Sequence, residues 1–332
     1  MLPYRLLMRR VSSLAATVVP VAVLGLVLTG CTTEQGRAAP SEGVSDVGDQ
    51  AEVTRDRYVA LGDSYTAAPL KPDNQRIKGC MRSRHNYPRL VADELGNTDL
   101  VDVSCSGAST VSMFYTQGFE HGDDEKPPQL DALTTDTDLV TVSIGANDFR
   151  LFNSMIYECL DAAKIDPDGA PCREQNTQDK KDRLKRTIAR IAPRVRRVVE
   201  DIHDRSPEAQ VLLVGYPKLL PASGACPERL PLAKGDYDYA RRINRRLAVA
   251  VRDAGVSAGA EYVNLFRASK GHDICSDEPW IAGIRGVHRR AMGMHPYPDE
   301  QRAVADLILA KLELLEKRDL QGGVDHPTVD NG

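Results

Sequence analysis

The chain has 332 residues, of which 42% are hydrophobic and 27% are charged. This length suits one large globular domain or two small ones with flanking tails, and such a chain buries enough apolar surface to fold without a metal. The 43 basic residues are nearly balanced by 47 acidic residues. The chain therefore lacks the excess of positive charge that favours binding to nucleic acid, and we expect no nucleic-acid partner.

The N-terminus has the pattern of an export signal. Arg5, Arg9 and Arg10 precede an apolar stretch over residues 11–28, and small residues follow it directly before Cys31. A basic start, a short apolar run and small residues at its end are typical of a signal peptide. The end of this segment resembles a bacterial lipobox, which implies cleavage before Cys31 and lipidation of its thiol. An ordinary signal peptide and an uncleaved anchor helix are the alternatives.

Three segments flank the predicted folded domain. We predict a lipoprotein signal peptide over 1–31, followed by a flexible tether over 32–54 that is rich in small and charged residues without an apolar period. Residues 318–332 are predicted to form a disordered tail. The domain is therefore expected to span 55–317 as a monomer, anchored at the outer face of the cell membrane by acyl chains.

Short apolar runs and helical patterns alternate along this domain. The runs are rich in Val and Leu, and they are Tyr58–Leu61, Leu100–Val103, Leu139–Ile144, Val211–Val214 and Tyr262–Leu265. Continuous apolar runs are typical of strands buried on both faces of a parallel sheet. Alternating strands and helices predict right-handed β-α-β units and one three-layer α/β/α domain.

The helical patterns are apolar stripes at spacings of three and four residues. They cover Leu184–Ile202, Ile243–Val251 and Val304–Leu315. Pro193 lies within the first stripe, where a proline should kink or split the helix. In a doubly wound sheet the active site forms at the carboxyl ends of the strands, so these ends are where we look for chemistry.

Six cysteines follow Cys31, and an even number behind an export signal predicts three disulfides. They are Cys80, Cys105, Cys159, Cys172, Cys226 and Cys275. Six cysteines allow 15 pairings, and sequential pairing is the simplest of them. A metal site is the alternative, but no Cys-x-x-Cys or paired His spacing supports it, and no metal or cofactor is predicted.

Polar and glycine-containing turns follow the first three strands. Ser64 comes directly after Gly62-Asp63, Gly107 follows the second strand, and Asn147 follows the third. Ser64 is a candidate nucleophile or a helix N-cap. Gly107 and Asn147 are candidate hydrogen-bond donors to a developing negative charge, or an ordinary loop glycine and a turn asparagine. Three such groups at consecutive strand ends would converge on one crevice.

A histidine is the natural base for a serine nucleophile. His295 lies in a short loop before the last predicted helix, where Pro298 suits the first turn. His288, seven residues earlier, is the serious competitor. A histidine isolated in a loop is also found as an ordinary surface residue.

Four blocks in this order resemble the SGNH, or GDSL-type, hydrolases. They are Gly62-Asp63-Ser64, Gly107, Gly145-Ala146-Asn147-Asp148 and His295-Pro296. The cysteine arrangement resembles the secreted actinobacterial esterase and lipase branch, which implies the pairs Cys80–Cys105, Cys159–Cys172 and Cys226–Cys275. The resemblance also implies a flavodoxin-like five-stranded parallel sheet.

The resemblance implies a role for each of these residues. Ser64 would be the nucleophile and His295 the base, while the Ser64 and Gly107 backbone N–H groups and the Asn147 amide would form the oxyanion hole. Many family members carry an Asp three residues before the histidine, where this chain has Met292. We therefore expect a Ser64–His295 dyad, with a backbone carbonyl near Met292 orienting the imidazole.

Weaker candidates for a third catalytic residue are Asp299, Asp273 and Asp277, whereas Asp63 and Asp148 are expected to brace their loops by hydrogen bonding. The implied reaction is hydrolysis of a lipid or short-chain acyl ester through an acyl-enzyme, without a cofactor. The alternatives are an O-acyl carbohydrate esterase and a non-catalytic surface lipoprotein that binds a ligand.

Overall fold

The computed structural model describes residues 55–69, 79–118, 125–178, 181–287 and 290–322. The predicted signal peptide, Cys31 and the predicted tether lie outside these ranges, as does His288. Within the described ranges, no helix combines the length and the apolar character needed to cross a bilayer.

The centre of the fold is a five-stranded sheet in which every pair of neighbours is parallel. Its strands are β1 (Arg57–Gly62), β2 (Asp99–Asp102), β3 (Leu139–Ser143), β4 (Gln210–Val214) and β5 (Glu261–Val263). Their order, β2-β1-β3-β4-β5, is the flavodoxin-like order that the resemblance implies. The predicted last strand is two residues too long, because the Asn264 side chain caps a helix that begins at Leu265.

Helices connect the strands and cover both faces of the sheet. They are α1 (Ser64–Ala67), α2 (Tyr87–Leu95), α3 (Thr110–Phe114), α4 (Leu151–Ala163), α5 (Pro171–Asn176), α6 (Arg183–Arg205), α7 (Tyr237–Ser257), α8 (Leu265–Ala268) and α9 (Pro298–Gly322). The short 3-10 helices are Gln129–Ala132, Asp148–Arg150 and Lys234–Asp236. The three predicted apolar stripes lie on α6, α7 and α9 and are buried.

Alternate residues of β1 belong to the two halves of the core. Val59 and Leu61 pack in the cluster that includes the stripes of α6 and α7. Tyr58 and Ala60 pack in the cluster that includes α2 and α9. Because successive side chains of a strand point to opposite faces, the sheet separates two helical layers, and the predicted α/β/α architecture is confirmed.

Pro193 does not split α6. The helix continues from Arg183 to Arg205 across the proline. A proline removes the hydrogen bond to the carbonyl four residues earlier, which here belongs to Ala189. Both residues lie on the exposed face, where water can hydrate that carbonyl while the apolar stripe stays packed.

The predicted boundary at Lys317 is five residues too early, because α9 continues to Gly322. Arg318 Nη1 lies 2.9 Å from Glu261 Oε1, and Lys311 Nζ lies 3.0 Å from Glu261 Oε2. These ion pairs hold the end of α9 against β5, a contact that the polar sequence after Lys317 does not reveal. The rest of the predicted tail lies outside the described residues.

Three disulfides join the cysteines in sequential pairs. They are Cys80–Cys105, Cys159–Cys172 and Cys226–Cys275, the pairs that the resemblance implies. The first attaches the segment before α2 to the loop after β2, and the second attaches α4 to α5. Cross-links of this kind stabilise a fold chiefly by restricting the unfolded chain.

Candidate active site

Ser64, Gly107, Asn147 and His295 all line one cavity of about 340 Å³. Ser64 follows β1, Gly107 follows β2, Asn147 follows β3, and His295 lies in the loop before α9. The carboxyl ends of neighbouring parallel strands meet at one edge of the sheet, which explains why Ser64, Gly107 and Asn147 share this cavity, and the loop before α9 adds His295 to them.

The turn after β1 is shaped to present Ser64. Gly62 has a φ of +153°, and a Cβ at this position would lie 2.9 Å from the Ser143 carbonyl oxygen and collide with Thr66. The Asp63 carboxylate caps α1 by accepting a hydrogen bond from the Tyr65 N–H at 2.9 Å. Ser64 is therefore the first residue of the helix and not its cap, and it lines the cavity.

Three hydrogen-bond donors border the same cavity. Within the described residues, neither the Ser64 N–H nor the Gly107 N–H donates to a protein acceptor. Gly107 has a φ of +81°, a conformation that favours glycine. Asn147 donates one amide hydrogen to the Ala108 carbonyl at 2.9 Å, which leaves its second hydrogen for a ligand.

The loop that carries Asn147 is held from two sides. The Asp148 carboxylate accepts hydrogen bonds from the Thr110 N–H at 2.8 Å and from the Thr110 hydroxyl at 2.5 Å. Phe149 has a φ of +50°, and its ring packs 4.1 Å from the Arg194 guanidinium carbon. Asp148 therefore braces its loop by hydrogen bonding, as predicted.

His295 is oriented by a backbone carbonyl, as expected from the methionine at position 292. Its Nδ1 lies 2.7 Å from the Gly293 carbonyl oxygen. Because a carbonyl only accepts, Nδ1 carries the proton and Nε2 keeps a free lone pair. Burial lowers the pKa of His295 from 6.5, and the Gly293 hydrogen bond opposes part of that shift. The imidazole is thus neutral near pH 7.

The weaker carboxylate candidates have other partners. Asp299 pairs with Arg290 at 3.0 Å and also with Arg302. Asp273 accepts a hydrogen bond from the Cys275 N–H at 3.0 Å, and Asp277 is exposed. Within the described residues, the hydrogen bond of His295 Nδ1 goes to Gly293 and to none of these carboxylates.

Tyr216 is a residue of this site that the sequence analysis missed. Its hydroxyl donates to Asp63 Oδ2 at 2.5 Å and accepts from the Ala146 N–H at 3.1 Å. It therefore joins the turn before Ser64 to the turn before Asn147. Tyr216 lies two residues past β4, so the strand-end rule applied to the fourth strand would have identified it.

Tyr65 connects the serine turn to the histidine loop and Gln301 connects the same turn to α9, and they too were missed. The Tyr65 hydroxyl donates to the Met294 carbonyl at 2.9 Å, and its ring centroid lies 6.1 Å from that of His295. Gln301 donates to the Tyr65 carbonyl at 3.1 Å. Each side chain forms a hydrogen bond to a segment more than 200 residues away in the sequence, so no local sequence pattern predicts these contacts.

The fold and the site define a serine ester hydrolase of the esterase and lipase class. A serine on a strand-end turn, a histidine oriented by a backbone carbonyl and several hydrogen-bond donors line one cavity, and acyl transfer uses groups of these kinds. The chain belongs to the GDSL-like lipase/acylhydrolase family, whose model matches residues 60–299. Within the described residues, no cluster of three His, Cys, Asp or Glu side chains is placed to hold a metal ion.

Curated relatives and solved structures agree with this membership. The chain is 38% identical to Lipase 2 of Streptomyces coelicolor over 86% of this chain and 93% of that protein. It is 30% identical to an esterase of Streptomyces scabiei over 65% of this chain and 72% of that protein. The crystal structure of an extracellular lipase from Streptomyces rimosus shares the fold, with a TM-score of 0.62 at 22% identity, over 76% of this chain and 98% of that one.

Proposed function

We propose that the chain hydrolyses carboxylic esters with Ser64 as nucleophile and His295 as general base. His295 Nε2 takes the Ser64 proton as Oγ attacks the ester carbonyl, then returns it to the leaving alcohol. Water, deprotonated by the same nitrogen, attacks the acyl-enzyme, and the proton returns to Ser64 as the acid leaves. The observation that carries this proposal is the shared cavity of Ser64 and His295 with the free lone pair of Nε2.

We propose that the Ser64 N–H, the Gly107 N–H and the Asn147 amide bind the oxyanion of each tetrahedral intermediate. All three residues line the cavity, and each has a hydrogen without a protein acceptor among the described residues. Preorganised donors of this kind stabilise charge that develops only in the transition state. All of these groups come from one chain, so a monomer suffices for the activity.

An apolar groove supports the proposal that the substrate carries an acyl chain. It has a volume of about 900 Å³, and Tyr157 lines both the groove and the cavity of Ser64. Leu160, Leu232 and Ile284 provide apolar walls. Its rim charges are paired, since Lys164 contacts Asp161 at 2.7 Å and Lys234 contacts Asp168 at 2.6 Å.

Two disulfides hold the walls of this groove. Cys159 precedes Leu160, and Cys226, which is bonded to Cys275, lies between Ala225 and Pro227 in the sequence; Leu160, Ala225 and Pro227 all line the groove. A preformed apolar groove costs little to order when an alkyl chain enters it. These features favour a fatty acyl ester over the O-acyl carbohydrate alternative, whose hydroxyl-rich alcohol needs polar partners.

Ala225→Trp should shorten the acyl chains that the enzyme accepts. Ala225 is exposed and lines the groove, so an indole can occupy the groove without overpacking the core. Displacing two or more methylenes costs about 0.8 kcal/mol each, and kcat/KM for p-nitrophenyl palmitate should fall roughly tenfold or more. The value for the acetate ester should change little.

Ala189→Trp, on the exposed face of α6, is the matched control and should keep the wild-type profile. If both variants show the same chain-length dependence as wild type, the groove does not bind the acyl group. Faster hydrolysis of acetylated sugars than of any alkyl ester would instead favour the carbohydrate alternative.

We also propose that the protein is exported and held at the outer face of the membrane by lipid on Cys31. Three disulfides support export, because they persist in oxidising compartments. Cys31→Ser should release the activity from the membrane fraction into the medium, with kcat unchanged. Equal retention of wild type and variant in the membrane fraction would contradict lipidation at this residue.

A further inference from the structure

A second pocket, of about 530 Å³, lies at the β5 end of the sheet and shares no lining residue with the cavity of Ser64. The helix α7, the segment after β4 and the short helix α8 form its walls. Lys218 follows β4 and Asn264 follows β5, as Ser64 follows β1 and Asn147 follows β3. Both pockets therefore lie at the carboxyl edge of the sheet.

The lining of this second pocket is strongly cationic. It includes six basic residues and no Asp or Glu: Lys218, Arg241, Arg245, Arg252, Arg267 and Lys270. Arg241 pairs with Asp238 and Arg252 with Asp253. The other four basic side chains have no carboxylate partner within the described part of the chain.

Apolar side chains form part of the pocket lining, here called the apolar floor. Leu220, Ala248, Val249 and Phe266 contribute to its lining. Lys218 is positioned at this apolar surface, because its N–H donates to Ser269 Oγ at 2.8 Å and its ammonium lies 5.1 Å from the Phe266 ring centroid. The pocket thus combines cationic and apolar side chains, in a chain whose formal net charge is −4.

We infer that this pocket binds an anionic amphiphile, with a phosphate head group among the cations and the first carbons of its chain on the apolar floor. Four unpaired cations repel one another, and an anion relieves that repulsion. A free phosphate would leave the apolar floor exposed to water, whereas an alkyl phosphate covers it. An anionic lipid held here would lie at the same edge of the sheet as the candidate active site.

The test uses the full chain and octyl phosphate below its micelle concentration, with binding followed by isothermal titration calorimetry. Each basic group near an anionic lipid contributes about fivefold to affinity, so Arg245→Gln with Arg267→Gln should weaken binding about 25-fold. Inorganic phosphate, which tests the head group alone, should bind wild type at least tenfold more weakly than octyl phosphate. Hydrolysis of p-nitrophenyl acetate should stay unchanged and report an intact fold.

The charge-matched control is Arg186→Gln with Arg246→Gln, two exposed residues that do not line the pocket. It should keep the wild-type affinity within about twofold, which supports a specific pocket over diffuse attraction. The inference is overturned if wild type does not bind octyl phosphate, or if the two double variants lose affinity equally. It is also overturned if inorganic phosphate binds as tightly, since that identifies a free-anion site.

Discussion

Ser64→Ala is expected to abolish ester hydrolysis while leaving the fold intact. The substitution removes only a hydroxyl that lines the cavity and makes no hydrogen bond within the described residues. Loss of a serine nucleophile costs on the order of 10⁵–10⁶ in kcat, because the remaining donors stabilise charge but cannot form the acyl-enzyme. The measurement is kcat for p-nitrophenyl butyrate, together with labelling by a fluorophosphonate probe.

Wild type should be labelled by the probe at Ser64, and Ser64→Ala should not be labelled. Asn147→Ala is the informative companion, since it keeps the nucleophile and removes one oxyanion donor. It should still be labelled, while kcat falls roughly 10²- to 10³-fold. Labelling at a different serine would contradict the assignment of Ser64 as the nucleophile. If a folded wild-type sample is not labelled at all, the result would favour the non-catalytic alternative.

His295→Gln is expected to lower kcat on the order of 10⁴-fold or more, since it removes the Nε2 atom that is proposed to deprotonate Ser64. The nucleophile and its base act as one unit, so their effects should not add. The double variant Ser64→Ala with His295→Gln should therefore be no slower than Ser64→Ala alone. An additive loss in the double variant would show that His295 acts through the structure rather than on Ser64.

The pH dependence of kcat/KM tests the same residue independently. A general base must be neutral, and burial lowers the pKa of His295 below 6.5. Activity should therefore rise with pH along a limb whose midpoint lies below 6.5, and it should persist at pH values where a solvated imidazole is protonated. The absence of any limb with a midpoint below 6.5 would contradict this assignment.

Titration of Asp63 could also make kcat/KM rise with pH. Burial raises its pKa to about 7, opposed by hydrogen bonds from Tyr216 and Tyr65. The carboxylate lies beside Ser64, so its titration could add a second step above that of His295. In Asp63→Asn the step near pH 7 should vanish, and the lower limb should remain if it belongs to His295.

The sequence identified the sheet because contiguous residues encode each strand and its turn. The runs at Tyr58–Leu61 and Leu139–Ile144 became β1 and β3, since a strand buried on both faces is apolar at most of its positions. The helical stripes were equally visible, because one face of each helix packs on the sheet. Two errors arose at the ends of elements, where side-chain contacts decided: Asn264 caps α8, and Glu261 holds α9 beyond Lys317. A third concerned Pro193, which α6 accommodates without a break.

The sequence by itself therefore determined the family, the five-stranded parallel fold and four of the residues that line the candidate active site, because each is encoded by a short segment of the chain. Only the tertiary structure decided that the Gly293 carbonyl orients His295 and that Tyr216 joins two turns. The same holds for the apolar groove and the cationic pocket. These features are made by side chains from segments far apart in the chain, and their contacts follow from packing that no local periodicity records.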